Sequence, residues 1–158
     1  MTKSKVVIVM GSEKDLDFTK KATKLLDRFE VNYDLRVASA HKTPEKVLDI
    51  IKEYEDIDNL VYLTVAGRSN ALSGFVDANT DFPVIACPPY SDKFSGADVF
   101  SSLRMPSGVG PMVVLDPGNA ALAASKILAL SDSGLSEKIA SYKKELKDKV
   151  EKSDSQVG

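Results

Sequence analysis

The 158-residue sequence has one cysteine and one histidine. A lone cysteine excludes an intrachain disulfide framework and any cysteine-rich metal site. The lone histidine, His41, excludes multi-histidine metal clusters and paired-imidazole proton relays, so chemistry that needs imidazole has one candidate. GxGxxG is absent, which removes the dinucleotide fingerprint, and so is the GxxxxGK(S/T) phosphate loop. No apolar run approaches the ~18–20 residues of a membrane span. The first run, Val6–Met10, is also too short for a signal h-region; Met1-Thr2-Lys3-Ser4-Lys5 before it is polar and basic, and Gly-Ser-Glu-Lys-Asp follows it directly. Neither sign of charge dominates: 21 Lys+Arg face 23 Asp+Glu, a net charge of -2. A polyanion-binding surface needs clustered cations, so nucleic acid is not the expected partner.

What is present fits a globular chain. Hydrophobic residues make up 43% and charged residues 28%, which argues against disorder and collagen. The length predicts one domain over residues 1–158, burying roughly 68–70% of its unfolded surface. The lone Cys87 and the lack of a targeting segment point to a reducing cytoplasm.

Short β-branched runs alternate with helical spacings. Val6–Met10 reads as a strand buried on both faces. Leu16, Ala22, Leu25, Leu26 and Phe29 then mark a helix, and Tyr33–Val37 a second strand. Val47, Ile50, Ile51 and Tyr54 form one face of a second helix. Leu60–Val65, Pro83–Cys87 and Met112–Leu115 read as further strands, with Pro83 at the first position a strand permits. Helices are expected from Ala71 to about Asn79, over Asp98–Arg104 and over Asn119–Leu130. This alternation predicts a three-layer, doubly wound α/β domain of the flavodoxin/Rossmann-like kind, with a parallel sheet of about five strands. The core spans about 5–131. In the tail, about 134–152, Leu135, Ile139, Tyr142, Leu146 and Val150 form a narrow stripe on a charged helix, suited either to its own domain or to a neighbouring subunit, and the last few residues are expected to fray.

Open parallel sheets bind ligands beyond the carboxyl ends of their strands, and three polar clusters fall there. In the first, Gly11-Ser12-Glu13-Lys14-Asp15, glycine permits close backbone approach and the following helix offers free N–H groups to an anion. Ser12 and Asp15 also resemble a capping box, a purely structural role. In the second, Ser39-Ala40-His41-Lys42-Thr43-Pro44, Thr43 reads as N-cap and Pro44 as the first helical residue. His41 and Lys42 stand just before that helix, where neutral imidazole can exchange a proton and Ser39 and Lys42 suit a phosphate; a loop histidine without function is the plainer alternative. In the third, Gly67-Arg68-Ser69-Asn70, Arg68 can clamp a carboxylate or phosphate, while Ser69 and Asn70 can cap a helix or bind polar substrate atoms.

Cys87 sits in an apolar run without a basic neighbour and reads as a buried structural thiol. Either X-Pro bond of Cys87-Pro88-Pro89 can be cis. The Gly/Pro/Ser-rich Ser101–Gly110 segment reads as a loop able to close over a ligand, and Asp56 and Asp58 as solvated surface.

In this order the clusters resemble the PurE family of purine biosynthesis over roughly Val6 to Leu130. The motifs that carry the resemblance are Gly-Ser-x-x-Asp, Ser-Ala-His-Lys, Ala-Gly-Arg-Ser-Asn, Cys-Pro-Pro, Ser-Ser-Leu-Arg-Met-Pro-Ser-Gly and Asn-Ala-Ala-Leu. Lys42, where the mutase branch (class I) has arginine, and Arg68-Ser69-Asn70, where that branch has a histidine-bearing loop, resemble the carboxylase branch (class II). The resemblance implies a 5-aminoimidazole ribonucleotide carboxylase that adds CO2 to C4 of the imidazole without ATP, biotin or metal. It implies His41 as general acid/base, a step worth about 10²–10⁴-fold. Substrate contacts are implied for Gly11, Ser12, Lys14, Asp15, Ser39, Ala40, Lys42, Gly67, Arg68, Ser69 and Asn70. Asp15 would hold ribose hydroxyls, and Ser39 and Lys42 the phosphate. Lys14 departs from the family's usual serine there. A homo-oligomer, octamer or tetramer, is implied, with the C-terminal helix packing on a neighbour. The alternatives are the mutase reaction on N5-carboxyaminoimidazole ribonucleotide, a non-catalytic flavodoxin-like nucleotide or flavin module, and an inactive family member serving a structural or regulatory role.

Overall fold

In the computed structural model, which describes residues 4–157, five parallel strands form one sheet in the order β2-β1-β3-β4-β5. The strands are β1 Ser4–Met10, β2 Asn32–Val37, β3 Asn59–Val65, β4 Val84–Ala86 and β5 Met112–Val113. The polar start Met1–Lys3 and the final Gly158 lie outside the described residues. The helices are α1 Leu16–Phe29, α2 Pro44–Glu53, α3 Ala71–Asp77, α4 Phe100–Leu103, α5 Pro117–Leu128 and α6 Ser133–Val157.

Side chains alternate across the sheet because the strand period is two. Val6, Ile8 and Met10 of β1 pack with Val61, Leu63 and Val65 of β3 under α1, α5 and α6. Val7 and Val9 turn the other way and meet Leu60, Tyr62, Val47, Ile50, Ile51, Leu72 and Val76 under α2 and α3. A strand covered on both faces must be apolar at every position, and Val6 to Met10 are all at most 2% exposed. The alanine face of α5, with Ala120, Ala121 and Ala124 fully buried, lets that helix settle close against the sheet.

Several sequence-based expectations need correcting. Leu16 is exposed, and the buried position on the first turns of α1 is Thr19. Its hydroxyl donates to the Asp15 carbonyl at 2.8 Å, which satisfies the polar group and lets the methyl pack. Only the first part of the tail stripe packs on the chain's own domain. Leu135 and Ile139 join the core, and Tyr142 meets Phe29 edge-on at 5.4 Å between ring centroids. Leu146 and Val150 are exposed. α6 continues to Val157, past the expected end near 152. All peptide bonds among the described residues are trans, including those before Pro88 and Pro89.

Candidate active site

The first connection from β1 leads to β2 on one side of it, whereas β3 returns to its other side, so the strand order reverses between β1 and β3. A crevice opens at such a switch point, beyond the strand ends. A cavity of about 570 Å³ lies there, and all three polar clusters line it. The first contributes Gly11, Ser12, Lys14 and Asp15; the second Ser39, Ala40, His41 and Lys42; the third Gly67, Arg68 and Ser69.

The first cluster is compact because β1 and β3 are neighbours. The Gly11 N–H donates to the Val65 carbonyl at 2.9 Å, and a Cβ at residue 11 would already touch that of Ala66 at 3.4 Å. Ser12 caps the short 3₁₀ turn Glu13–Asp15, its Oγ accepting from the Lys14 N–H at 3.2 Å. Burial raises the Asp15 carboxyl above the ordinary carboxylate range, and the Ser12 backbone N–H acts in the opposite sense.

In the second cluster Thr43 stands at the N-cap position, with Pro44 opening α2, but its side chain makes no bond into the helix. Its Oγ1 instead accepts from the Ser39 N–H at 3.0 Å, and the Ser39 carbonyl accepts from the Thr43 N–H at 2.8 Å. The Lys42 N–H donates to Ser39 Oγ at 3.3 Å. This closed turn fixes residues 39 to 43 and leaves the exposed His41 ring and Lys42 ammonium without a side-chain partner among the described residues. Imidazole and ammonium are therefore available to a bound molecule.

In the third cluster Asn70 takes the helix-capping role, one of the two that the sequence allowed. Asn70 does not line the cavity; it is 3% exposed and bonded on both sides. Its Oδ1 accepts from the Ser73 N–H at 3.2 Å, capping α3, and its Nδ2 donates to Ser102 Oγ at 2.9 Å. The Ser101–Gly110 segment is not among the residues that line the cavity. Ser101 and Ser102 brace the third loop: the Ser101 hydroxyl meets the Arg68 carbonyl and the Asn70 N–H, and the Ser102 hydroxyl answers the buried Asn70 amide. Arg68 has φ of 57°, a left-handed backbone that costs an arginine roughly 1–2 kcal/mol. Gly67 is wedged: a Cβ there would stand 3.3 Å from the Pro89 carbonyl and 3.6 Å from Asp98 Oδ2.

A fourth lining segment was not anticipated. Pro89, Tyr90 and Ser91, after β4, and Asp98 line the cavity too, beside the small or apolar Ala66, Ala71 and Leu72. Position alone signalled the first three, since they follow a strand end as the other clusters do. Cys87 is buried as expected; desolvation, with the Asp116 charge adding to it, pushes its thiol up to about 12. Asp56 and Asp58 are exposed. Among the described residues no three His, Cys, Asp or Glu side chains form a metal-ligating group, and no helix is long and apolar enough to cross a membrane.

Comparison with known proteins places this geometry. The family described as AIR carboxylase matches residues 5–149. A phosphoribosylaminoimidazole carboxylase of Archaeoglobus fulgidus is 60% identical over 153 residues, covering 97% of this chain and 84% of that protein. One of Treponema denticola is 48% identical over 153 residues, covering 96% of each chain. The crystal structure of Treponema denticola PurE matches with a TM-score of 0.94 at 47% identity, over 97% of this chain and 98% of that one.

Proposed function

The chain belongs to the AIR carboxylase family, and from that membership we propose that it is a phosphoribosylaminoimidazole carboxylase of purine biosynthesis, adding CO2 reversibly to C4 of 5-aminoimidazole ribonucleotide. The observation that carries the reading at the level of residues is the convergence of one unpartnered imidazole, His41, with Lys14, Lys42 and Arg68 on one cavity.

The amino group makes the imidazole ring enamine-like, so C4 attacks CO2 directly and becomes tetrahedral. Aromaticity returns when C4 loses its proton. His41 takes that proton, and in the reverse direction delivers it to C4 before CO2 leaves. Ser39 and Lys42 hold the phosphate, with the Lys14 ammonium replacing the hydroxyl usual in the family. Ser12 and Asp15 hold the ribose. Arg68, with Gly67 and Ser69, forms the end of the cavity that meets the transferred carboxylate, for which a guanidinium is the matching planar donor. Ala40 brings backbone close to the substrate. The reading needs no ATP, biotin or metal.

Residues of about 5–131 are the catalytic core in this reading, and the chain works in the cytoplasm as a homo-oligomer. Support for assembly comes from Leu146 and Val150, which stay exposed on α6. A concentration-independent monomer in sedimentation would exclude it. The decisive assay supplies aminoimidazole ribonucleotide with bicarbonate and, separately, N5-carboxyaminoimidazole ribonucleotide. Carboxylation of the former is expected; efficient use of the latter alone would replace the carboxylase with the mutase. His41→Asn should abolish turnover with an unchanged circular dichroism spectrum, and retained activity would remove His41 from the mechanism.

A further inference from the structure

Three non-glycine residues have positive φ among the described residues: Glu30, Arg68 and Ser95. Glu30 ends α1 and Ser95 ends a 3₁₀ turn, where left-handed residues commonly terminate helices. Arg68 follows a strand, so helix termination does not account for it. A glycine would adopt this conformation without strain. An arginine persists there only if its surroundings over-determine the backbone.

The surroundings do so from one segment. The Arg68 N–H donates to Asp98 Oδ2 at 2.8 Å, and the Arg68 carbonyl accepts from Ser101 Oγ at 2.7 Å. The Ser101 hydroxyl shares its one proton between the Arg68 carbonyl and the Asp98 carbonyl, 2.8 Å away, and accepts from the Asn70 N–H at 3.0 Å, so both anchors belong to one braced turn. The guanidinium, by contrast, makes no ion pair or hydrogen bond with a described residue, and Arg68 is exposed and lines the same cavity as Asp98. Asp98 therefore holds this arginine by its amide and leaves its charged head free. The dihedrals of residue 68 set the direction of its Cα–Cβ bond, and relaxation to negative φ would redirect the side chain.

We propose that Asp98 is a positioning residue for Arg68: by accepting the Arg68 N–H it locks the left-handed backbone that presents an unpaired guanidinium to the carboxylate on C4. The inference rests on the proposed function, because it takes the cavity to hold the aminoimidazole ribonucleotide.

Equilibrium titration of the full-length protein with 5-aminoimidazole ribonucleotide and with its 4-carboxy derivative, each variant carried in a His41→Asn background that stops the two nucleotides interconverting, tests it without depending on turnover. The two ligands differ only in the group that Arg68 meets. Asp98→Ala should weaken the carboxylated nucleotide about tenfold or more relative to the other, the size of one lost charge-assisted contact. Asp98→Asn keeps an acceptor oxygen and should restore the ratio to within about threefold of wild type. In an Arg68→Ala background, Asp98→Ala should change the ratio less than about twofold, because the two residues act as one unit. Equal weakening of both nucleotides, a ratio unmoved by Asp98→Ala, or multiplying effects of the two substitutions would each overturn the proposal. Should Asp98→Ala fail to fold, Ser101→Ala removes the other anchor of Arg68 and carries the same expectation. Wild-type protein that binds neither nucleotide would overturn the proposed function itself. Binding of both with an unmoved ratio overturns only the positioning role.

Discussion

Replacing Asn70 with alanine separates the two roles that the sequence allows it, helix cap and substrate ligand. In the structure it joins α3 to the Ser101–Ser102 turn. The substitution deletes three contacts: Oδ1 with the Ser73 N–H at 3.2 Å, Oδ1 with Ser73 Oγ at 3.0 Å, and Nδ2 with Ser102 Oγ at 2.9 Å. Ser73 Oγ keeps Thr64 Oγ1 at 2.8 Å, so that hydroxyl is not orphaned. The Ser73 N–H loses its cap, worth about 1 kcal/mol. Ser102, 1% exposed, loses its partner in a place water does not reach, which costs about 1–3 kcal/mol. Together these give roughly 2–4 kcal/mol, a lowering of Tm by about 4–16 °C for a chain of this size. Urea denaturation at one fixed protein concentration measures it, with a shifted midpoint and unchanged slope. Ser102→Ala breaks the same contact from its other end, so the double variant should be about 0.5 kcal/mol or more less damaging than the sum of the single ones. A loss below about 0.5 kcal/mol for Asn70→Ala, the size of an ordinary surface change, would refute the structural role.

Two further outcomes follow from the charge and burial described above. The Lys5 ammonium, bonded to Asp34 at 2.7 Å, holds that carboxyl below its ordinary range against the opposing effect of burial, and the Tyr54 hydroxyl adds to it at 2.8 Å. A lowered folded-state value stabilises above the unfolded pKa and is lost as pH falls, so Asp34→Asn should cost about 0.5–1 kcal/mol at pH 7 for this partly exposed pair. The cost should vanish well below about pH 4, and an equal gap at pH 7 and pH 3 would contradict the assignment. Cys87, fully buried with its thiol near 12, should resist Ellman's reagent in native protein at pH 8, where roughly 10⁻⁴ of it is thiolate, and react in urea; rapid native labelling would show that the β4 end opens.

Much of the fold was readable because buried parallel strands have no polar face to blur them. Val6–Met10 and Leu60–Val65 could be nothing else, and their central places in the sheet follow from that. The three lining clusters were readable for a related reason, since polar residues directly after a buried strand mark its open end. What periodicity cannot report is where a hydrogen bond goes. Thr19 buries because the Asp15 carbonyl satisfies it, Thr43 turns its hydroxyl back to Ser39, and Asn70 points inward. Asp98 escaped notice because it lies on a short helical turn after two loops, where a carboxylate looks like solvated surface until the fold brings Arg68 to it.

The ends of the sheet determine how the chain behaves in company. Unpaired strand edges invite other strands, in particular during folding. At one margin β5 pairs over only two residues, too short to template a ladder. At the other, β2 is six residues long with Leu35 and Val37 exposed, yet Asp34 and Arg36 alternate with them. Both charges are tied sideways, Asp34 to Lys5 and Tyr54, and Arg36 to Glu53 and Tyr54. A strand added along β2 would have to accommodate these fixed charges beside it. The same polar ties that steady the margin thereby discourage strand-by-strand aggregation, leaving helix faces and loops as the surfaces through which copies of the chain can meet.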